Sequence, residues 1–471
     1  MIFSSTIFIF GFLPTVLLIY FVLLAKANIR IKNIFLFLVS VFFYAWGEPK
    51  FVFVFLFSIF FNWFCGLKVD AWRASKTKTR MIMVFMIIVN ISILFIHKYL
   101  LFSLDTINGL FGLTIPLPHI LLPIGISFFT FQAVSYVIDV KRNTSKVQKN
   151  PLDVGLYVAF FPQLVAGPIV RYSTIAEEIQ ERHTSWDDFS TGICRFILGF
   201  AKKTLIADNL ATIADKAFAI TGAPSALSVV FAWMGALAFM LQIYYDFSGY
   251  SDMAIGLGRI FGFHFMENFN YPYIAHTITN FWRRWHISLS SWLRDYIYIP
   301  LGGSRVESRS RMFFNLFVVW LATGIWHGAN WTFIAWGIYY FLLIAIEKAL
   351  KLDRITYNPF SHLLCLFLVL IGWVLFRSNN IGEAILYIQA MFGLLGNPFF
   401  NKHALFYLQE YGIFYLVAII FALPIVPKLK AKLADNKLIA LPVAIILVTL
   451  FIVSISFIIK GNYNPFIYFN F

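Results

Sequence analysis

A chain of 471 residues, 60% of them hydrophobic and only 13% charged, with a mean hydropathy of +0.78, is not an ordinary water-soluble domain, whose apolar share is about 45–50%. Its 56 phenylalanines and repeated apolar runs mark an all-α polytopic membrane protein. The formal net charge of +15 raises nucleic acid as a partner, but the placement of the charges along the chain removes that reading.

The first apolar run, Ile7 to Leu24, has no basic segment before it and no small-residue cleavage site after it, so it reads as a retained span. Lys26, Arg30 and Lys32 follow; the runs 34–47 and 50–66 then return the chain to Lys68, Arg73, Lys76, Lys78 and Arg80. The run 81–102 crosses to 103–119, which holds Asp105 and no Lys or Arg, and 120–138 returns to Lys141, Arg142, Lys146 and Lys149. Seven arginines between Arg259 and Arg311, three basic residues from Lys348 to Arg354 and four from Lys428 to Lys437 complete the pattern. Spans of about 20 residues and the positive-inside rule place all these clusters in the cytoplasm, with about 11 spans and both termini outside. The basicity then follows from topology and anionic lipid, not from nucleic acid.

Two segments are not simple spans. Residues 152–170 are apolar but broken by Pro162, Gly167 and Pro168, which predicts a re-entrant or interfacial piece, because open backbone at membrane depth must be covered by protein or line a cavity. The stretch from Asn280 to Pro300, NFWRRWHISLSSWLRDYIYIP, is too polar to span and too apolar for a free loop, so it is expected in the interface or folded under the membrane core. No repeat or linker divides the chain, and one membrane domain, 1–471, is the simplest expectation.

From Trp320 to Gly337 the chain reads WLATGIWHGANWTFIAWG. An imidazole at membrane depth is costly unless paired or lining a cavity, which makes His327 a functional-site candidate; a packing histidine bonded to a neighbouring helix is the alternative. The flanking glycines allow close approach by backbone or substrate, and the indoles could wall a slot. Cys65, Cys194 and Cys365 form no CxxC and sit at no metal spacing with histidine, so neither disulfide nor metal is expected. GxxxxGK[ST], HExxH and GxSxG are absent, which disfavours ATP-driven transport, metalloproteolysis and serine-elbow chemistry. His327 and His286, with Asn268, Asn270 and Asn280, suit a base that takes a proton from a hydroxyl or thiol.

The run DFSGYSDM…WRRWHISLSSWLRDYIYIPLGGSR, from Asp246 to Arg305, resembles the central signature of the membrane-bound O-acyltransferase superfamily, in the bacterial branch that acetylates alginate and peptidoglycan. FPQLVAGPIVRY at 161–172, WHGANWTFIAWG at 326–337 and LFRSNNIGEAILYIQAMFG at 375–393 resemble the same branch in the same order. The resemblance implies a ring of helices with re-entrant and interfacial pieces around a central tunnel, His327 as the catalytic histidine and His286 as its second polar position. It implies acetyl-CoA as a cytoplasmic donor substrate, with no cofactor bound. Arg283, Arg284 and Arg305 are placed to neutralise the donor's phosphates, and Trp326, Asn330 and Trp331 to line the tunnel. It further implies a bacterial inner-membrane location and a periplasmic partner transferase of the SGNH (Ser-His-Asp) type, with peptidoglycan as acceptor narrowly ahead of alginate. The C-terminal tail 460–471 ends KGNYNPFIYFNF, and its FxYxxF is similar to a motif that presents tyrosine, here Tyr468, as a transient acyl carrier; an aromatic anchor is the plain alternative. D-alanyl transfer to teichoic acid, a transporter or flippase, and a non-catalytic scaffold remain open.

Overall fold

The computed structural model describes residues 1–219, 227–433 and 439–460, and among them there is no β-strand. Tyr468 and the FxYxxF tail lie outside the described residues. The principal helices are α1 (Ile7–Leu23), α2 (Ile29–Gly47), α3 (Val52–Ala71) and α4 (Lys76–Phe111), then α5 (Ile126–Arg142), α6 (Pro151–Ala159), α7 (Tyr172–Gln180), α8 (Trp186–Ala201) and α9 (Asp208–Ala219). They continue with α10 (Val229–Ile260), α11 (Ile278–Trp282), α12 (Ile287–Leu293), α13 (Arg309–His327), α14 (Trp331–Ala349), α15 (Pro359–Arg377), α16 (Ile381–Met391), α17 (Lys402–Phe421) and α18 (Ala440–Lys460). Among the described residues eight helices, α2, α3, α4, α10, α14, α15, α17 and α18, are long and apolar enough to cross a membrane, and α1 and α16 are shorter apolar helices. The chain is a multi-pass membrane protein.

The chain packs as two compact units, one from Met1–Phe196 with Tyr250–Met266, the other from Ile197–Gly249 with the residues from Glu267 onward. In the first, an aromatic cluster of Phe8, Phe12, Phe43 and Phe161 packs with centroids 5.3–6.3 Å apart. Such ring pairs contribute about 0.5–1.5 kcal/mol each beyond area burial. Between α3 and α4 the buried amides of Asn62 and Asn90 exchange two hydrogen bonds of 3.0 Å, a polar clasp where lipid offers no competing partner.

The broken segment 152–170 is buried protein, as its prolines and glycine predict. Asn150 caps α6 by accepting from the Leu152 N–H at 3.1 Å, and the helix stops at Phe160, two residues before Pro162. The freed groups find partners inside the unit: Phe161 N–H donates to Ser40 Oγ at 3.0 Å, and Tyr157 Oη donates to the Val170 carbonyl at 3.0 Å. The irregular backbone is thereby satisfied without water.

The second unit is organised around a buried aromatic core that includes Tyr245, Trp282, Trp285, Trp336, Tyr340, Trp373 and Phe376. Here α13 and α14 form a tight antiparallel pair: a Cβ on Gly337 would lie 2.5 Å from the Trp320 carbonyl oxygen and 3.2 Å from Gly324 Cα. Gly324 and Gly337 therefore serve a helix crossing, the small-residue contact of membrane bundles, and not the approach of substrate.

Candidate active site

The segment from Asn280 to Pro300, expected in the interface or folded under the membrane core, is packed largely inside the second unit. Phe281, Trp282, Trp285, His286, Ser288, Leu289, Trp292 and Leu293 are all buried. Apolar aromatics bracket the arginines tightly enough that the run folds into two short helices, α11 and α12, with His286 at the break. Glu347 of α14 anchors its start, accepting from the Thr279 N–H at 2.8 Å, from Thr279 Oγ1 at 2.7 Å and from the Ile278 N–H at 2.5 Å. This carboxylate satisfies the open N–H groups at the helix start.

His286 adopts left-handed backbone, φ 44° and ψ 54°, a conformation that costs a non-glycine residue free energy and recurs at functional sites. Neighbouring backbone holds it there: the Ile287 N–H donates to the Asn268 carbonyl at 2.9 Å, and the Ser290 N–H donates to the His286 carbonyl at 3.0 Å. The ring is 1% exposed. Its Nδ1 lies 3.1 Å from Asn268 Oδ1, which also accepts from the Ser288 N–H at 3.2 Å and from Ser288 Oγ at 2.8 Å. An amide oxygen can only accept, so Nδ1 carries the hydrogen and Nε2 keeps its lone pair. That Nε2 is buried with no hydrogen-bond partner among the described residues. Burial, and then the neighbouring His327, hold the His286 imidazole well below its usual pKa, so the neutral ring is the form present near neutral pH.

His327 is the last residue of α13, about 27 Å along the axis from Arg309 at 1.5 Å per residue. Gly328 leaves the helix with extended backbone, and Asn330 starts α14 by accepting from the Thr332 N–H at 3.0 Å. His327 is 6% exposed and packed edge to face against Trp326, Trp336 and Phe376, with centroids 4.9, 5.0 and 5.3 Å away. The Trp326 indole also lies 6.0 Å from the His286 ring, and Phe247 meets His286 edge-on at 4.6 Å. Two imidazoles thus share one aromatic box, close enough to interact electrostatically. In so apolar a place a proton acceptor and a developing charge act with little solvent screening.

The other expected residues divide. Trp326 is inside the box, whereas Trp331 is 50% exposed at the start of α14. Asn330 is a cap whose Nδ2 donates to the Asn379 carbonyl at 2.8 Å. That bond ties the WHGAN turn to the LFRSNN turn, where Asn380 caps α16, its Oδ1 accepting from the Glu383 N–H and its Nδ2 donating to Glu383 Oε1. Arg284 is engaged within the chain, its Nε donating to Asn280 Oδ1 at 3.1 Å and its Nη1 to the Asn270 carbonyl at 3.1 Å. Arg283 and Arg305 are exposed. Phe247, Phe376 and Ser288 belong to the site although the sequence did not single them out; Trp336 was among the indoles expected to wall a slot, and Asn268 was noted without the role it plays.

A second polar cluster adjoins the site through α10. Lys203, 1% exposed, pairs with Asp246 at 3.0 Å and with Asp208, and Asp246 immediately precedes the Phe247 ring that braces His286. Burial pushes the Asp208 carboxyl above its usual range, so a proton on this carboxyl lets two acids and one lysine approach neutrality. Asp246 sits in the apolar helix α10, so the rule for ionisable residues within membrane helices could have found it in the sequence.

A sequence model of the membrane-bound O-acyltransferase family matches residues 144–381, which include His286 and His327. Over 398 residues the chain is 44% identical to the probable alginate O-acetylase AlgI of Pseudomonas aeruginosa, covering 83% of this chain and 75% of that protein. It is 36% identical over 429 residues to the peptidoglycan O-acetyltransferase of Helicobacter pylori, covering 84% and 80%. Identity to the teichoic acid D-alanyltransferase of Bacillus subtilis is 32% over 242 residues, 48% of this chain and 59% of that one. With two buried histidines in one aromatic box and likeness of this extent, the chain belongs to the membrane-bound O-acyltransferase family, as an O-acetyltransferase of its bacterial branch.

Proposed function

We propose that this protein takes the acetyl group of cytoplasmic acetyl-CoA and hands it across the inner membrane for O-acetylation of a cell-envelope polysaccharide. The observation that carries the reading is the His286–His327 pair, buried together with a neutral imidazole whose Nε2 is left to accept a proton. His327 removes the proton of the attacking hydroxyl as its oxygen bonds to the thioester carbonyl carbon; the C–S bond breaks and the proton passes to the departing thiolate of coenzyme A. His286, its tautomer held by Asn268, accepts a hydrogen bond from the hydroxyl or the thiol and positions it.

Arg283 and Arg305, exposed near this segment in sequence, supply charge for the donor's phosphates, with Arg284 held back by Asn270 and Asn280. Tyr468 is the first acceptor: a phenol with pKa of about 10 is a weak nucleophile until a base takes its proton, and an aryl ester readily passes its acyl group on. A periplasmic SGNH-type transferase then delivers the group to the polymer. Identity of 44% to an alginate O-acetylase against 36% to a peptidoglycan enzyme favours an exported polysaccharide of the alginate type as final acceptor, with peptidoglycan second.

Mass spectrometry of the C-terminal peptide after incubation with isotopically labelled acetyl-CoA tests the relay. A labelled acetyl on Tyr468, lost in Tyr468→Phe, supports it. Turnover with Tyr468 unmodified removes the carrier step, and movement of an intact substrate without thioester cleavage would put a transporter in its place.

A further inference from the structure

At the basic end of the first unit, α3 turns into α4 through Trp72–Ser75 and meets the C-terminal end of α5. The turn is tied down by Arg73, whose Nη2 donates to the Val140 carbonyl at 3.1 Å and to Asp70 Oδ1 at 2.9 Å. Thr79 Oγ1 closes it from the other side, donating to the Trp72 carbonyl at 2.8 Å. The result is an open cleft of about 450 Å³ lined by Val69, Arg73, Lys76, Thr79, Arg80 and Lys141. Four cations and no carboxylate face it. Lys76, Arg80 and Lys141 are exposed and their side chains form no ion pair or hydrogen bond among the described residues.

We propose that this cleft binds the headgroup of an anionic phospholipid. The cleft stands at the level where the surface changes from apolar to basic. One turn below it, α4 presents Met81, Val84, Phe85 and Ile88, each 48–66% exposed, as a lipid-facing side does. On α3 the Lys68 ammonium lies over the Phe64 and Trp72 rings at 5.2 and 5.4 Å, the snorkelled lysine and interfacial indole that mark a headgroup boundary. A ligand in the cleft therefore meets cations with its head and an apolar helix face with its tails, which suits a phospholipid better than a soluble phosphate. Basic pockets between membrane helices bind acidic headgroups in this way. A neighbouring cleft beyond Arg73 also holds Asp70 and Glu177, so its mixed charge makes it the weaker anion site. The inference stands apart from the acyl-transfer reading, since none of these residues belongs to the site around His327.

Native mass spectrometry of the full-length protein, delipidated and titrated separately with phosphatidylglycerol and phosphatidylcholine, tests it. Phosphatidylglycerol is expected to be retained in preference. Arg80→Gln with Lys141→Gln should weaken its binding about 25-fold, from about fivefold per surface charge, whereas Lys26→Gln with Lys78→Gln, the same charge change outside the cleft, should leave it within about twofold. Equal binding of the two lipids, or equal losses in the two double variants, overturns the proposal. Displacement of phosphatidylglycerol by inorganic phosphate or 3′-phosphoadenosine at matched concentration also overturns it, in favour of a soluble phosphate ligand.

Discussion

Replacing Asn268 by alanine isolates what holds His286 in its working form. The change deletes one acceptor oxygen that serves three donors, the His286 Nδ1–H at 3.1 Å and the Ser288 N–H and hydroxyl at 3.2 and 2.8 Å. A buried donor left without a partner costs about 1–3 kcal/mol. The imidazole can avoid that cost by moving its hydrogen to Nε2, at the expense of the lone pair that the proposed reaction uses. Giving up 1.4–2.8 kcal/mol of transition-state stabilisation corresponds to about a 10- to 100-fold fall in kcat/KM. Asn268→Asp keeps an acceptor but places a negative charge beside the ring, which raises the His286 pKa from its depressed value. The charged form cannot accept a hydrogen bond at Nε2, so activity in this variant should fall on the acid side relative to the natural protein, recovering as pH rises. The assay is coenzyme A release from acetyl-CoA by purified protein in nanodiscs between pH 5.5 and 9. Natural activity in Asn268→Ala, together with an unchanged pH profile in Asn268→Asp, would refute the positioning argument; a thermal unfolding scan of each variant separates it from loss of fold.

Other substitutions test the frame around the site. Gly337→Ala puts a methyl 2.5 Å from the Trp320 carbonyl oxygen, and because the obstruction is backbone the helix pair must part; a loss of about 1–3 kcal/mol is expected in unfolding measurements. Lys203→Met strands Asp246, and removal of one partner from a buried ion pair costs about 3–5 kcal/mol. Adding Asp208→Asn and Asp246→Asn should restore most of that stability, and failure to do so would show that the cluster does more than balance charge. Arg283→Gln with Arg305→Gln should raise KM for acetyl-CoA with kcat little changed, as expected of residues that only hold phosphates; a fall in kcat at unchanged KM contradicts that role.

The membrane class was legible because it rests on a local signal, long apolar runs, and His327 was singled out in the same way, as a histidine inside such a run. The breaks at Pro162, Gly167 and Pro168 were legible too, since proline removes a donor wherever it stands. The stretch from Asn280 to Pro300 was harder, because local amphipathy does not say whether a neighbour will cover the polar face. Here Glu347, over sixty residues downstream, supplies the partner for its helix start. Gly324 and Gly337 illustrate the same limit: small residues announce a close approach without naming what approaches, and the partner is a helix. Asn268, Ser288 and His286 come together through side-chain bonds across a non-helical turn, which no periodicity encodes. Lys203, Asp208 and Asp246 are spread over three elements and look unrelated until folded.

The central claim is that His327 is the base of a thioester-cleaving acyl transfer. Release of coenzyme A from acetyl-CoA by purified protein, compared between the natural chain and His327→Ala with unfolding temperatures matched, tests it most directly. The account predicts turnover that drops about 10²–10⁴-fold in the variant, the usual contribution of a positioned proton acceptor. Coenzyme A release at the natural rate from a folded His327→Ala protein would contradict it.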